Sequence, residues 1–279
     1  MSQVYRVTAQ YYQHFDADFT RDVPEEGFGG WKQATVELAA SHTAVAVMHA
    51  WDCGTEEKYP GWHRAVPYIP RSAEICWRVF PELLAAVRRS QVPLFHVVGG
   101  GDYYKSLPGY LRTKELAGPD PKPPEAIPSD RARDHLLSFK QEHVHPGVHN
   151  IPDIDRGFAR IDFAPEARPI GDEPIAENSH QLLAMCRERE INHLIYAGFA
   201  VDGCLLVSPG GMVDMQRHGV LCSIIRDATT AIESRETARA QLAKEVALWR
   251  VALLFGFVFD SRDLVQALNA GPENPGAEE

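Results

Sequence analysis

Cysteine chemistry is the first possibility that this sequence raises. Cys204 follows an apolar run and a short polar turn in YAGFAVDGCLL (196–206). If a helix begins at Cys204, its backbone dipoles favour the thiolate, which is the nucleophilic form of cysteine. The neighbouring backbone N–H groups could then form an oxyanion hole for acyl transfer. The alternative is that Cys204 is a small buried hydrophobic residue, as free cysteines often are.

Other polar side chains also come directly after apolar runs, in HAWDCG (49–54), GGGDYYK (99–105), AVDGC (200–204) and DATTA (227–231). In an open α/β sheet, ligands bind beyond the carboxyl ends of the strands. The sequence therefore predicts a pocket whose polar rim is formed by His49, Asp52, Asp102, Lys105, Asp202, Cys204 and Asp227.

The elements that would position these residues are short apolar runs that alternate with helical patterns. The runs are TAVAVM (43–48), PLFHVVG (93–99), HLIYAGF (193–199), VLCSIIR (220–226) and LLFGFVF (253–259). Runs that are apolar at every position suit strands buried on both faces of a parallel sheet. Helices are predicted over 72–90, 177–190, 234–252 and 261–268. This alternation predicts an α/β fold with a mainly parallel, doubly wound sheet.

Three stretches lie outside this alternation. Residues 1–39 are predicted to form an N-terminal arm, and residues 269–279 a disordered tail. A single domain is predicted over 40–268, with a long insertion at about 100–165 that includes the proline-rich, extended segment AGPDPKPPEAIP (117–128). Insertions of this length are often lids, partner contacts or disordered excursions.

Composition limits the function classes. The 279 residues carry a net charge of -10 without a basic stripe, which argues against nucleic acid as a partner. No signal peptide is visible, and no apolar run is long enough to cross a membrane. The five cysteines are odd in number and form no CxxC pair, which is typical of a reducing compartment. We expect a cytoplasmic protein.

The cysteine segment resembles the signature of the isochorismatase-like cysteine hydrolases. Gly198, Ala200, Asp202 and Cys204 match that signature, with Val201 in place of a threonine. RHGVLCSIIRDATTA (217–231) resembles the next element of the family, and AVAVMHAWDCG (44–54) resembles its first strand. The order and spacing agree over roughly residues 40–100 and 165–268.

The resemblance implies a three-layer α/β/α fold, a homodimer or homotetramer, and a small-molecule substrate with no cofactor. It implies an aspartate, a lysine and a cysteine that cleave a C–N bond of an amide-like compound through an acyl-enzyme. It also implies a cis peptide between Phe199 and Ala200, with the backbone amides of Ala200 and Cys204 as the oxyanion hole. The pocket is predicted to include Trp51, Asp102, Lys105, Phe199 and Asp202.

The sequence departs from the family at two of the three catalytic positions. Met48 stands where the family aspartate is expected, and residues 167–179, where the lysine is expected, contain none. Three explanations are open. His49 or Asp52 could serve as the base while a cation such as Arg168 or Lys105 replaces the lysine. The chain could instead be a catalytically inactive ligand-binding or oligomeric scaffold, or the alignment could be shifted by several residues.

Two further motifs have competing interpretations. His143, His145 and His149 could share a metal ion, although a solvent-exposed loop explains the same pattern and no metal is predicted. The glycines at 99–101 fit a sharp turn of the backbone better than they fit a phosphate-binding loop. Aromatic residues at 51–68 could line an apolar pocket or pack beneath a loop, and Trp51 is the best candidate for a wall against a ring or planar amide.

Overall fold

The computed structural model of the protein describes residues 3–274 and is built around an eight-stranded sheet. A separate two-stranded sheet pairs β4 with β6. The strands are β1 (Val4–Gln13), β2 (Gly30–Ala39), β3 (Thr43–Met48), β4 (Trp51–Asp52), β5 (Leu94–Val97), β6 (Asp162–Phe163), β7 (Ile175–Ala176), β8 (His193–Gly198), β9 (Leu221–Thr229) and β10 (Val258–Phe259).

The strand order in the main sheet is β2-β1-β10-β9-β8-β3-β5-β7. Every neighbouring pair from β10 to β7 is parallel, and β1 pairs antiparallel with both β2 and β10. From β3 the chain moves to β5 and β7 on one side, and then returns to β8 on the other side of β3. The topological switch point therefore lies between β3 and β8, where ligands of open α/β sheets bind.

Helices cover both faces of this sheet. They are α1 (Pro60–Ala65), α2 (Ile69–Arg78), α3 (Phe80–Arg89), α4 (Pro108–Ala117), α5 (Arg131–His143), α6 (Ile151–Phe158), α7 (Ser179–Glu188), α8 (Cys204–Val207), α9 (Met212–Gln216), α10 (Leu242–Leu254) and α11 (Ser261–Ala270), with short 3-10 turns at 24–27, 148–150 and 165–167.

Two hydrophobic clusters show why the fold has three layers. One contains residues of α2, α3 and α11, and the other contains residues of α7, α8, α9 and α10. The side chains of β3 divide between them, since Val45 and Val47 join the first cluster and Ala44, Ala46 and Met48 join the second. This alternation is the period-two geometry of a strand buried on both faces. The predicted α/β/α fold with a mainly parallel sheet is confirmed.

The first four predicted strands are present, but the fifth is wrong over most of its length. Helix α10 continues to Leu254, and only Val258–Phe259 form a strand. A short run that is apolar at every position fits the end of a buried helix as well as a strand. Gly256 makes the change of direction possible, because a Cβ at this residue would lie 2.5 Å from the carbonyl oxygen of Cys222.

Two of the predicted helices also differ from the structure. The helix predicted over 72–90 is divided into α2 and α3 at Val79, because Pro81 cannot donate a backbone hydrogen bond and so lies in the first turn of a new helix. The helix predicted from Ser234 begins at Leu242. The Glu233 carboxylate accepts hydrogen bonds from the amides of Ala243 and Lys244 and so caps that start.

The segments outside the predicted alternation have structure of their own. Residues 1–39, predicted to be an arm, contain β1 and β2, which extend the main sheet. The insertion at about 100–165 contains α4, α5, α6 and β6, and none of the residues of α5 is buried. Within the predicted tail, Glu273 bridges Val4, and residues 275–279 lie outside the described residues. No helix in residues 3–274 has the length and apolar character needed to cross a membrane.

Candidate active site

The switch point brings the ends of β3 and β8 into close contact. Met48 is paired with Gly198 across the two strands. A Cβ at Gly198 would lie 1.9 Å from the Met48 carbonyl oxygen, and the Phe199 amide donates to that same oxygen at 3.2 Å. Glycine is needed here because the backbone also has a φ of 122°. The two main chains therefore form a close-packed floor beneath the residues that follow them.

Cys204 lies directly beyond this floor. The peptide bond between Phe199 and Ala200 is cis, as the family resemblance implies. The chain then turns through residues 201–203, and Cys204 is the first residue of α8. This helix ends after a single turn at Val207, before residues 208–211. Cys204 is partly exposed and packs against the second hydrophobic cluster.

The backbone amides around Cys204 differ in whether they have a hydrogen-bond acceptor. Those of Val201, Gly203 and Leu205 donate hydrogen bonds to carbonyl oxygens at 2.8–3.2 Å. Among the hydrogen bonds of the described residues, no acceptor is found for the amides of Ala200 and Cys204. Backbone N–H groups in protein interiors almost always have partners. Two such groups left free beside a cysteine could donate hydrogen bonds to the oxygen of a bound carbonyl group.

A cavity of about 250 Å³ opens beside the switch point. Its walls are mostly aromatic and aliphatic, and two sides of the fold supply them. The segments after β3 and β8, with α1 and α2, contribute one set, and the insertion contributes the other. The lining residues are His49, Trp51, Cys53, Trp62, Val66, Tyr68, Ile69, Ser72, His145, Pro146, Ile154, Phe158 and Phe199.

His49 is the most unusual polar residue of this cavity. Its backbone has a φ of 53°, a left-handed conformation in which histidine is enriched among non-glycine residues. The ring stacks on Trp51 with centroids 4.5 Å apart, and its Nδ1 atom is buried without a hydrogen-bond partner. Burial lowers the pKa of His49 to about 4, although a hydrogen bond to the Val98 carbonyl acts in the opposite direction. His49 is therefore neutral at physiological pH.

Tyr68 is a residue of the cavity wall whose pKa is also affected by Cys204. It lines the cavity, and burial raises its pKa, with negative charge at Cys204, Cys53 and Asp202 acting in the same direction. Cys204 is not itself among the residues that line the cavity.

The other cysteines differ from Cys204 in their surroundings. Burial raises the pKa of Cys76, Cys186 and Cys222 to about 12, and that of Cys53 to about 12 with a further contribution from the charge on Asp52. Thiols with such pKa values are almost entirely protonated at neutral pH and react slowly. These four residues are therefore natural internal controls for the reactivity of Cys204.

The predicted acidic residues are distributed around the cavity. Asp52 is exposed, accepts a hydrogen bond from the Gly54 amide at 2.9 Å, and lines a neighbouring cavity that shares Trp51 and Cys53 with the first. Asp202 is half-buried and accepts a hydrogen bond from the Ile232 amide at 2.8 Å. Burial raises the pKa of Asp202. Neither carboxylate is among the groups that line the first cavity.

Asp102 and Lys105, predicted to belong to the pocket, form an exposed ion pair with each other. Gly100 and Gly101 both have a positive φ, and they turn the chain outward before this pair. Neither residue lines any of the cavities described for residues 3–274. Arg168, the other predicted cation, pairs with Asp162.

The residue at the family's aspartate position has no polar role. Met48 is fully buried in the second hydrophobic cluster. In residues 3–274, no group of three or more histidine, cysteine, aspartate or glutamate side chains could hold a metal ion. Of the three histidines considered as ligands, only His145 lines the cavity.

The insertion supplies cavity residues that the sequence did not predict. Phe158 is at the end of α6 and stacks on Trp62 with centroids 4.9 Å apart, and His145 and Pro146 follow α5. A partial signal was present, because the aromatic residues at 51–68 suggested an apolar pocket. Nothing in the local pattern connected them with residues 145–158, which are distant in sequence.

Comparisons with known proteins give structural matches only. No family model matches the chain, and no curated protein does. A cysteine hydrolase from Pseudomonas syringae pv. phaseolicola 1448A is 16% identical, with a TM-score of 0.45 over 84% of this chain and 95% of that one. An isochorismatase-like hydrolase from Alkaliphilus metalliredigens is 16% identical, with a TM-score of 0.43 over 81% and 98%.

An N-carbamoylsarcosine amidase from Thermoplasma acidophilum is 14% identical, with a TM-score of 0.39 over 79% of this chain and 96% of that one. The solved structures to which the chain is similar thus include a cysteine hydrolase, an isochorismatase-like hydrolase and an N-carbamoylsarcosine amidase.

Proposed function

We propose that this protein is a divergent isochorismatase-like cysteine hydrolase that cleaves a C–N bond of a small, amide-like substrate. The observation that carries the proposal is the setting of Cys204. It is the partly exposed first residue of a helix at the switch point, with two backbone amides beside it that have no acceptor. A nucleophile and an oxyanion hole need this combination of groups.

The proposed reaction has two stages. The Cys204 sulfur attacks the substrate carbonyl carbon, and the amides of Ala200 and Cys204 stabilise the oxyanion. The thiol proton passes through a base to the leaving nitrogen, the C–N bond breaks, and a thioester forms. Water then attacks the thioester, which releases the acid and restores the thiol.

The base in this proposal is a carboxylate. A His49 pKa of about 4 makes its imidazole a weak proton acceptor at neutral pH. Asp52 lies on the neighbouring cavity, and Asp202 is two residues before the nucleophile with a pKa that burial raises toward the range of a general base. Asp52→Asn and Asp202→Asn are a matched pair of variants, and the catalytic one should lose at least about 100-fold in kcat.

The direct test is alkylation with iodoacetamide, followed at each cysteine by mass spectrometry between pH 6 and 9. Cys204 should react first, with Cys76, Cys186 and Cys222 as slow controls. Turnover is then measured on a panel of small amides and ureides. Cys204→Ala should abolish turnover while the circular dichroism spectrum is unchanged, and Cys53→Ala should retain it. A Cys204→Ala protein that still turns over substrate would disprove the proposal.

Met48 supports a second candidate, a catalytically inactive relative that binds a ligand without turning it over. A fully buried thioether at the family's aspartate position cannot accept a proton. This candidate predicts that Cys204 is alkylated no faster than Cys53, and that no amide in the panel is hydrolysed. In either case we propose a homodimer or homotetramer in the cytoplasm. Size-exclusion chromatography with light scattering tests the assembly.

A further inference from the structure

The two edges of the main sheet differ in how they are protected. Strand β7 is only two residues long, Ile175–Ala176, and follows Pro174, which has no backbone N–H. Strand β2 is ten residues long, contains no proline, and pairs with β1 in one unbroken register over its whole length. Natural proteins protect exposed edges with short strands, prolines, bulges and lysines. Of these features, β2 has only a single lysine, Lys32, so its edge is poorly protected.

The main-chain groups that face this edge follow from the pairing of β2 with β1. The Ala40 amide donates to the Gln3 carbonyl at 2.9 Å, and this pair continues the register of the two strands. In an antiparallel ladder, hydrogen-bonded and non-hydrogen-bonded pairs alternate. The even-numbered residues of β2 therefore bond to β1, and the odd-numbered residues direct their N–H and C=O groups away from it. At the middle of the strand the outward residues are Gln33, Thr35 and Glu37, and no described strand other than β1 pairs with β2.

The side chains at the middle of β2 leave room for a further strand. Residues 32–35 and Glu37 are exposed, and the two central residues, Ala34 and Thr35, are small. Neither is bulky enough to prevent a strand from approaching to the spacing of about 4.8 Å that neighbouring strands have. Unpaired edge groups of this kind are a template for pairing with another chain.

A second copy of this chain has a strand that matches this edge. A two-fold axis perpendicular to the sheet places β2 antiparallel to its own copy and keeps each face of the sheet on the same side. With the axis at Thr35, this residue lies opposite its own copy, and Gln33 lies opposite Glu37 of the second copy. Only outward residues meet in this register, so these residues form three pairs that exchange about six main-chain hydrogen bonds.

The side chains of β2 are complementary in the same register. The Gln33 amide faces the Glu37 carboxylate of the second copy, which is a charged acceptor for its N–H groups, and no like charges lie opposite each other. On the other face of the sheet, Ala34 lies opposite Val36, which packs against the first hydrophobic cluster. The pairing therefore extends that cluster across the axis. An axis at Ala34 would instead place the Glu37 carboxylate opposite Trp31.

We propose that two copies of this protein join along β2, in antiparallel orientation with a two-fold axis at Thr35, so that one sheet continues through both copies. This inference names the surface that forms the assembly proposed above, and it requires no chemistry at Cys204. Strand β2 is separated from β8 and the switch point by β1, β10 and β9. Substitutions at the edge therefore test the interface without changing the residues around Cys204.

Charges placed at the axis test this interface. Thr35→Lys and Thr35→Glu each bring two like charges together, because the residue faces its own copy. Either variant alone should raise the dissociation constant at least about 10-fold. An equimolar mixture of the two should assemble more tightly than either alone, since lysine then faces glutamate. Masses and dissociation constants are measured at micromolar concentration by sedimentation equilibrium. Thr35→Val is the size-matched control and should assemble like the wild type.

A second variant and a second measurement separate dissociation from misfolding. If circular dichroism shows that Thr35→Lys does not fold, Gln33→Glu replaces it, because it brings another carboxylate opposite Glu37. Gln33→Lys is then the control and should retain the assembly. Hydrogen exchange followed by mass spectrometry should show that residues 31–37 exchange faster in the dissociated variant than in the wild type, since the outward amides lose their acceptors.

Three results would overturn the inference. These are a monomeric wild type at micromolar concentration, a Thr35→Lys protein that assembles as tightly as Thr35→Val, and a mixture of the two charged variants that assembles no more tightly than either alone. A wild-type tetramer that Thr35→Lys divides into dimers would support it. Failure of the proposed function is separate. A wild type that assembles along β2 without hydrolysing any amide would reject the hydrolase and keep the interface, and a monomeric wild type with turnover would do the reverse.

Discussion

Two buried histidines of this protein have opposite surroundings. His96, in β5, is fully buried, and its Nε2 donates to Glu173 at 2.9 Å. Glu173 also accepts two hydrogen bonds from Arg88, at 2.6 and 2.9 Å. His49, just beyond β3, is almost as buried, yet its Nδ1 has no partner.

Burial lowers the pKa of both histidines, so both are neutral, but only one belongs to a complete hydrogen-bond network. A satisfied network stabilises the fold, whereas a buried polar atom without a partner costs stability. The contrast indicates that the hydrogen-bond network near β5 and β7 contributes more to stability than His49 does at the switch point.

The largest expected effect on stability comes from placing a carboxylate at the switch point, at the buried position of Met48. Met48→Asp would place an aspartate where the family resemblance leads one to expect it, at a fully buried position of the hydrophobic cluster. Without a neighbouring cation, the free energy of unfolding should fall by about 4 kcal/mol or more. Urea denaturation followed by circular dichroism measures this change. Met48→Leu is the size-matched control and should cost less than about 1.5 kcal/mol. If Met48→Asp and Met48→Leu had equal stabilities, the protein would have to supply a hydrogen-bond or charge partner for the aspartate at this position.

Removing a carboxylate from the complete network should have the next largest effect. Glu173→Gln leaves Arg88 without its counter-charge and weakens the acceptor for His96, so the free energy of unfolding should fall by about 3 kcal/mol. The adjacent Asp172→Asn is the control, because its ion pair with Arg112 is exposed and should contribute little. If Glu173→Gln and Asp172→Asn unfold at the same urea concentration, the network around His96 is no more stabilising than an exposed ion pair. The contrast between the two regions is then wrong.

The acid dependence of stability should also come from this network. Burial alone would raise the pKa of Glu173, but hydrogen bonds from His96, Arg88 and the Ile170 amide outweigh it and lower the pKa from 4.5 to about 2. A lowered carboxyl pKa stabilises the folded state above pH 4.5, and this contribution is lost as the pH falls toward 2. The unfolding temperatures of the wild type and Glu173→Gln should therefore converge as the pH falls below 4.5. A difference between them that stays constant with pH would contradict the assignment.

The smallest effect on stability is expected at His49. His49→Phe removes an unsatisfied polar atom and keeps a ring against Trp51, so the free energy of unfolding should change by no more than about 1 kcal/mol. His96→Phe is the matched variant in the other region and should destabilise by more, because Glu173 then loses one of its hydrogen-bond donors. Thermal denaturation of the pair measures the difference. A larger loss in the free energy of unfolding for His49→Phe than for His96→Phe would contradict the comparison.

The sequence predicted the fold better than the site. Strands 43–48 and 193–198 are almost entirely apolar in sequence and buried at every position because both faces are covered, and that pattern is local. The Cys204 segment was also recognisable from local spacing. By contrast, Asp102 and Lys105 were placed in the pocket because they follow a strand. Two glycines with positive φ direct them to the surface instead.

The cavity could not be predicted because its walls meet only in three dimensions. His145 and Phe158 come from an insertion whose helix α5 buries none of its residues, so the helix has no pattern that points to a core. The burial of His49 with an unsatisfied Nδ1 accompanies a left-handed backbone conformation at this residue, and no local pattern specifies either feature.

The close contact between Met48 and Gly198 has an evolutionary consequence. The floor beneath the residues that follow the two strands is main chain, and Gly198 has no room there even for a methyl group, so Gly198 can scarcely be replaced. The roof, from His145 to Phe158, belongs to an inserted segment outside the central sheet. Descendants of this protein can therefore change the part of the cavity wall that the insertion supplies without disturbing the contact between the two central strands.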